Sequence, residues 1–151
     1  MKKILLASLM LIAFVGCGGD KKPSTAAQAN INVQSFTAPY QKVWKVTLDT
    51  IEFDFLMGIE LQDLKKGVFS TEMIRDYQPF QKRRFRLSGT LIFDAQSKST
   101  IVKLYKHEEV LVNNDWQAIP SNSAMENQIL TKVAARLKAM PVTPTAAPKK
   151  K

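Results

Sequence analysis

The sequence predicts an α+β domain in which a four-stranded antiparallel sheet carries an N-terminal helix and a long C-terminal helix packed on one face. Three observations predict it. Apolar residues recur at spacings of three and four from Tyr40 to Phe55 and again from Ile129 to Met140, and between these stretches the pattern switches to a period of two. With 151 residues, 45% of them apolar, the chain has room for one ordinary domain.

That domain is expected over residues 37–140. Thr37-Ala38-Pro39 offers an N-cap and a proline in the first turn, and Tyr40, Val43, Trp44, Leu48, Ile51 and Phe55 form the apolar stripe of the first helix. Trp44, on that stripe, is expected in the core. Met57 to Asp63 alternates apolar and polar residues, Leu64 to Gly67 forms a turn, and Val68 to Arg75 resumes the period of two. This is a hairpin, with Gly67 where a left-handed backbone is needed. Arg84 to Phe93 is the clearest strand, with Phe85, Leu87, Leu91 and Phe93 on one face and Arg84, Arg86, Ser88 and Thr90 on the other. After a polar turn from Asp94 to Ser99, Thr100 to Val112 is the fourth strand, with Val102 and Leu104 inside and Lys103, Tyr105 and His107 outside. Asn113-Asn114-Asp115 then turns the chain towards Trp116. A capping box, Ser123-Ala124-Met125-Glu126, opens the last helix, whose stripe is Ile129, Leu130, Val133, Leu137 and Met140, with Pro141 just past its end. Helix, four strands and helix make a helix-grip-like layer. Its open sheet face would carry Glu60, Gln62, Arg84, Arg86, Thr90, Lys103, Tyr105 and His107.

Residues 1–16 read as a signal segment. Met1-Lys2-Lys3 is a positive start, and Ile4 to Val15 is a run of twelve residues without a charge. As a helix that run spans about 18 Å, short of a hydrocarbon core of about 30 Å, so a permanent spanning helix is not expected. Phe14-Val15-Gly16-Cys17 resembles the lipobox of bacterial lipoproteins, in which a small residue admits the backbone to the peptidase and the cysteine thiol takes a diacylglyceryl group. The resemblance implies lipidation at Cys17. Several acyl chains anchor a protein where one is marginal, at about 0.8 kcal/mol per buried methylene. Gly18, not an aspartate, follows Cys17. By resemblance to proteobacterial lipoproteins, that implies the outer membrane, with the domain in the periplasm. Residues 17–36 read as the lipidated cysteine and a flexible linker, although a strand-like period starts at Ile31-Asn32-Val33. From Gly18 to Ser35 such a tether reaches about 20–25 Å.

The net charge is +9, from 22 Lys and Arg against 13 Asp and Glu, but most of it sits at the ends. From Pro39 to Met140 there are 15 basic and 12 acidic residues. A nearly balanced fold gives no electrostatic footprint for nucleic acid, which is not expected as a partner. Residues 141–151 (PVTPTAAPKKK) read as a disordered tail. Its Lys149, Lys150 and Lys151 are candidate contacts to peptidoglycan, lipopolysaccharide or anionic lipid, against the plainer reading of a solubilising end.

Enzymatic chemistry has little to stand on. A single Cys excludes an internal disulfide and a multi-thiolate metal site, and a single His excludes two-His zinc sets. No P-loop, dinucleotide fingerprint, nucleophile elbow or His-Glu-x-x-His motif occurs. His107 and Glu108 are adjacent on a strand and would point to opposite faces, so no metal site is expected there. No catalytic residue and no cofactor is assigned.

The segments YQKVWKVTLDTIEF, IELQDLKKGVFST, RRFRLSGTLIF and ENQILTKVAARLKAM, together with the lipobox at Cys17, resemble those of the NlpB/BamC-type lipoproteins, accessory subunits of the outer-membrane barrel-assembly machinery. Members often have two such domains and an extended N-terminal segment; this chain has one domain and a short linker. The resemblance implies a non-enzymatic, lipid-anchored module that binds another envelope protein. Arg84, Arg86, Lys103 and Tyr105 on the open sheet face are the candidate contacts, competing with a solvated face of cross-strand ion pairs. Two other functions remain open. One is a carrier or sensor of a lipid or glycan fragment, which needs a cavity between the long helix and the sheet; the other is attachment to the cell wall through the lysine tail.

Overall fold

The computed structural model describes residues 30–140. Along the chain these form β1 (Asn32–Phe36), α1 (Tyr40–Asp49), β2 (Ile59–Asp63), β3 (Val68–Thr71), β4 (Ile74–Gln78), β5 (Gln81–Asp94), β6 (Ser99–Val112), β7 (Asp115–Ile119) and α2 (Ala124–Ala139). A π-helical turn, Thr50–Asp54, extends α1. The expected signal segment, Cys17 and the tail over 141–151 lie outside the described residues.

The axis of the fold is the antiparallel hairpin of β5 and β6, 14 residues each, in continuous register from Asp94↔Ser99 to Arg83↔Val110. Each of these long strands is flanked twice on its outer edge. On β6, β1 pairs near the β5–β6 turn and β7 pairs at the far end. On β5, β3 pairs near the turn, with β2 beyond it, and β4 pairs at the far end. The half nearest the β5–β6 turn is the proximal half, and the other is the distal half.

The sheet therefore has seven strands. This overturns the four-stranded, helix-grip-like expectation, and the three added strands have identifiable causes. The segment NVQSF is short and polar, but its residues pair antiparallel with β6 from Asn32↔Leu104 to Phe36↔Thr100, so the fold starts inside the expected linker. The period-two run from Val68 to Arg75 conceals a break at Glu72-Met73. There β3 ends, Glu72 N–H bonds Gly58 O at 2.9 Å, and β4 restarts on the same edge of β5. Asn113 and Asn114 both take positive φ, 49° and 67°, the conformation of a type I′ hairpin turn, and so fold β7 back onto β6.

Both helices pack over the proximal half. Val43, Trp44 and Ile51 from the first helical segment and Ile129, Leu130 and Val133 from α2 are buried against Phe69, Leu87, Leu91, Val102 and Leu104 of the sheet. Trp44 meets Phe69 edge to face at 6.1 Å. At the end of the π-helical turn, Asp54 accepts a 2.7 Å hydrogen bond from Arg136 of α2.

The start of α2 also differs from expectation. Ser123 has a left-handed backbone (φ 62°) and its side chain caps nothing. Asn122 Oδ1 accepts from Ala124 N–H instead, and Ser121 Oγ accepts from Ser123 N–H. Glu126 is fully buried, its Oε1 accepting from Ser121 Oγ at 2.9 Å and from Lys106 N–H at 3.1 Å. The carboxylate expected to close a local cap is spent on the sheet.

Candidate functional site

Strand alternation sends Leu87, Leu91, Val102 and Leu104 under the helices, so Arg84, Arg86, Lys103, Tyr105 and His107 stand on the opposite, uncovered face. The register places Arg84 across from Glu109, Arg86 from His107, Ser88 from Tyr105 and Thr90 from Lys103. Arg84 and Lys103 thus lie six residues apart along the ribbon, about 20 Å. The four candidate contacts fall into two groups.

In the first group the arginines are already engaged. Arg84 Nε donates to Glu109 Oε2, and its guanidinium carbon lies 4.2 Å from the centroid of the Trp116 ring. His107 Nε2 lies 3.4 Å from the other Glu109 oxygen. Partial burial works to raise the Glu109 pKa, but the Arg84 hydrogen bond and charge, aided by His107, outweigh it and hold the carboxyl below its ordinary value. Arg86 reaches Glu60 Oε2 at 2.6 Å; Glu60 sits at a register irregularity between Ile59 and Leu61, past which Gln62 pairs with buried Phe69 and so lies on the helix side and not on the open face expected of it. This group is a set of ion pairs of the kind that competed with partner binding.

The second group is different. Lys103 and Tyr105 make no side-chain hydrogen bond or ion pair among the described residues. Beside them runs β1, whose Val33 pairs with Lys103 and is 57% exposed. Ile31, at the start of the same run, is 58% exposed. A cation, a phenol and two aliphatic side chains together make an amphipathic patch on the uncovered face of the sheet. Sequence reasoning found Lys103 and Tyr105 but missed Ile31 and Val33, because the run was assigned to the linker. The alternation that starts at Ile31 was the available signal.

His107 and Glu108 are on opposite faces, as their adjacency requires. Glu108 lies on the helix side, accepting from Lys106 Nζ at 2.7 Å, with Arg83 at 3.5 Å. Among the described residues, no three His, Cys, Asp or Glu side chains converge as a metal ion would need, and no helix is long and apolar enough to cross a membrane.

The space between α2 and the sheet, where a carried ligand would have to sit, is filled by Ile129, Val133, Val102 and Leu104, each 0% exposed. The larger hollows are open grooves at its edge. One, of about 820 Å³, lies between Thr37–Gln41 and the β5–β6 turn and includes Phe93 and Lys98. The other, of about 480 Å³, lies between Gln34–Pro39 and the end of α2. The turns beside the first groove are fixed by carboxylates. Asp63 accepts from Lys65 and Lys66 N–H, and Asp94 from Ser97 Oγ and Gln96 N–H. Chiefly through the Lys66 N–H bond in one and the Ser97 bond in the other, both carboxyls are held below their ordinary pKa.

No family model matches this chain, and no curated protein matches it.

Proposed function

We propose that this chain is an outer-membrane lipoprotein, held through Cys17, whose periplasmic domain is a non-enzymatic module that binds another envelope protein. The observation that carries the reading is the patch of Ile31, Val33, Lys103 and Tyr105, with its charged and phenolic groups unengaged and its aliphatic groups exposed on the sheet face away from the helices. Such a surface suits a protein partner with apolar and acidic groups better than it suits catalysis. The barrel-assembly machinery is the partner class that the resemblance to NlpB/BamC-type lipoproteins implies.

The test is purification of the native lipidated protein from its own membranes in mild detergent, with mass spectrometry of what accompanies it. Stoichiometric barrel-assembly components, lost in a Lys103→Glu/Tyr105→Ala variant, support the reading. Recovery of the protein alone, or with glycan fragments, removes it in favour of the cell-wall or carrier alternatives.

A further inference from the structure

We propose that the distal tip of the β5–β6 ribbon docks into the anionic headgroup layer of the membrane that holds the chain, with Phe80 as the inserted side chain. The proposal takes its geometry from the anchor at Cys17 and goes beyond it in assigning the domain a second, direct lipid contact.

Phe80 sits in the two-residue turn between β4 and β5 and is 102% exposed, the full extent possible. Tyr77, on β4 of the same hairpin, is 62% exposed. A turn needs neither ring, and neither joins the core. From Ile74 to Arg84 this hairpin carries Arg75, Lys82, Arg83 and Arg84 against one acid, Asp76. The acids on the neighbouring strand, Glu108 and Glu109, are engaged by Arg83, Lys106 and Arg84. Asp115 opens β7 nearby. Exposed aromatic rings flanked by lysine and arginine are the combination that partitions to a bilayer interface, the rings at headgroup depth and the cations on anionic lipid.

The chain enters β1 from the distal side of the ribbon. Because β1 runs antiparallel to β6 and pairs Asn32 with Leu104, the chain before Asn32 heads along the ribbon towards Val112 and the distal end. Asn30, two residues before Asn32 and so level with Lys106, bonds Ser121 O at 2.8 Å. From the level of Lys106 to that of Val112 is about 20 Å at strand rise. Asn30 comes thirteen positions after Cys17, and that much chain, at no more than about 3.3–3.6 Å per residue, is long enough to cover the distance. A domain tethered by that length of chain can bring its distal tip to the lipid.

The test uses the full chain, lipidated in a bacterial host, purified in mild detergent and reconstituted into phosphatidylethanolamine/phosphatidylglycerol vesicles with brominated acyl chains. Phe80→Trp is compared with Gln96→Trp at the opposite end, each corrected for the parent emission, and circular dichroism checks that both fold. Docking at the interface predicts about twofold quenching of Phe80→Trp, none of Gln96→Trp, and a reduced effect when Arg75→Glu and Lys82→Glu are added. Equal, negligible quenching at both positions overturns the proposal. So does a Phe80→Trp emission that is blue-shifted in native membranes yet unquenched in vesicles, which would assign the tip to a protein. The mass of the Cys17 peptide separates the two readings. A lipidated Cys17 with an unquenched tip leaves the anchor standing and removes the docking, whereas an unmodified Cys17 with a tip quenched by added vesicles does the reverse.

Discussion

Leu87 and Lys106 face each other across the β5–β6 ribbon, and the backbone N–H of each is taken by a side chain from outside the ribbon. Leu87 N–H donates to Thr71 Oγ1 at 3.1 Å, at the break between β3 and β4. Lys106 N–H donates to Glu126 Oε1 at 3.1 Å, in the gap between β1 and β7. Both flanking ladders are thus interrupted at one level, and at that waist a hydroxyl and a carboxylate stand in for the missing carbonyls.

Thr71→Val and Glu126→Ala are each expected to cost about 1–3 kcal/mol, because each leaves a buried N–H without an acceptor. Thr71→Ser and Glu126→Gln keep an oxygen in reach and are expected to recover most of the loss. Urea unfolding of the four variants checks this. Equal losses in Thr71→Val and Thr71→Ser would mean that the methyl packing, and not the hydroxyl, matters at Thr71.

Gly89 is the cross-strand partner of Phe69, whose ring occupies the place of a side chain there. A Cβ at Gly89 would stand 2.3 Å from Phe69 Cε1 and Cζ and 2.9 Å from Leu104 Cδ2. Gly89→Ala is therefore expected to destabilise by about 1–3 kcal/mol, with a lower Tm in a thermal scan. At Gly67, where φ is +67° and a Cβ would lie 2.3 Å from Leu91 O, alanine is expected to be at least as damaging.

Acid should weaken the fold partly through Glu109. Its folded pKa lies below the ordinary 4.5, so its contribution is complete above that value and is lost as the pH falls through the lower folded value. In Glu109→Gln the urea midpoint is expected to fall less than in the parent between about pH 5 and pH 3. A parallel decline in both proteins would place the acid sensitivity elsewhere, with Asp63 and Asp94 the next groups to replace.

The two groups on the open sheet face should separate in experiment. Arg84→Ala removes the bond to Glu109 and the stacking on Trp116, and is expected to cost about 1–2 kcal/mol. Lys103→Glu with Tyr105→Ala, on unengaged side chains, is expected to change stability by less than about 0.5 kcal/mol while weakening the protein partner. A large loss of Tm in the Lys103/Tyr105 variant would show that these residues support the sheet.

Strong local patterns are legible in the sequence. The hairpin around Gly67, the faces of β5 and β6, and the stripes holding Val43, Ile51, Ile129 and Val133 all follow from spacing. The features that escape it depend on partners far along the chain. β1 is five mostly polar residues and becomes a strand through β6, some seventy positions on. At Glu72-Met73 the inward side chains shift parity, from Phe69 and Thr71 before it to Ile74 after it, a change that one period-two run over Val68 to Arg75 does not register. Asn113-Asn114 was a readable turn signal, whereas Glu126 matched a local cap and was drawn away by a distant backbone N–H. Of the site, Lys103 and Tyr105 follow from parity. The engagement of Arg84 and Arg86 rests on Glu109 and Glu60, whose placement depends on register and on an irregularity in β2.

The central place of the β5–β6 hairpin also sets the order in which a chain emerging from its N-terminus can fold. β1, β3, β4 and β7 all pair with one of its two strands, and β2 joins through β3. Until Leu104 has emerged, β1 has only part of its seat, and until Gln81–Asp94 is out, β3 and β4 have no place on β5. The first half of the chain, with Phe69, Val43 and Ile51 uncovered, must therefore wait for the second, and a holding chaperone has the most to do during that interval.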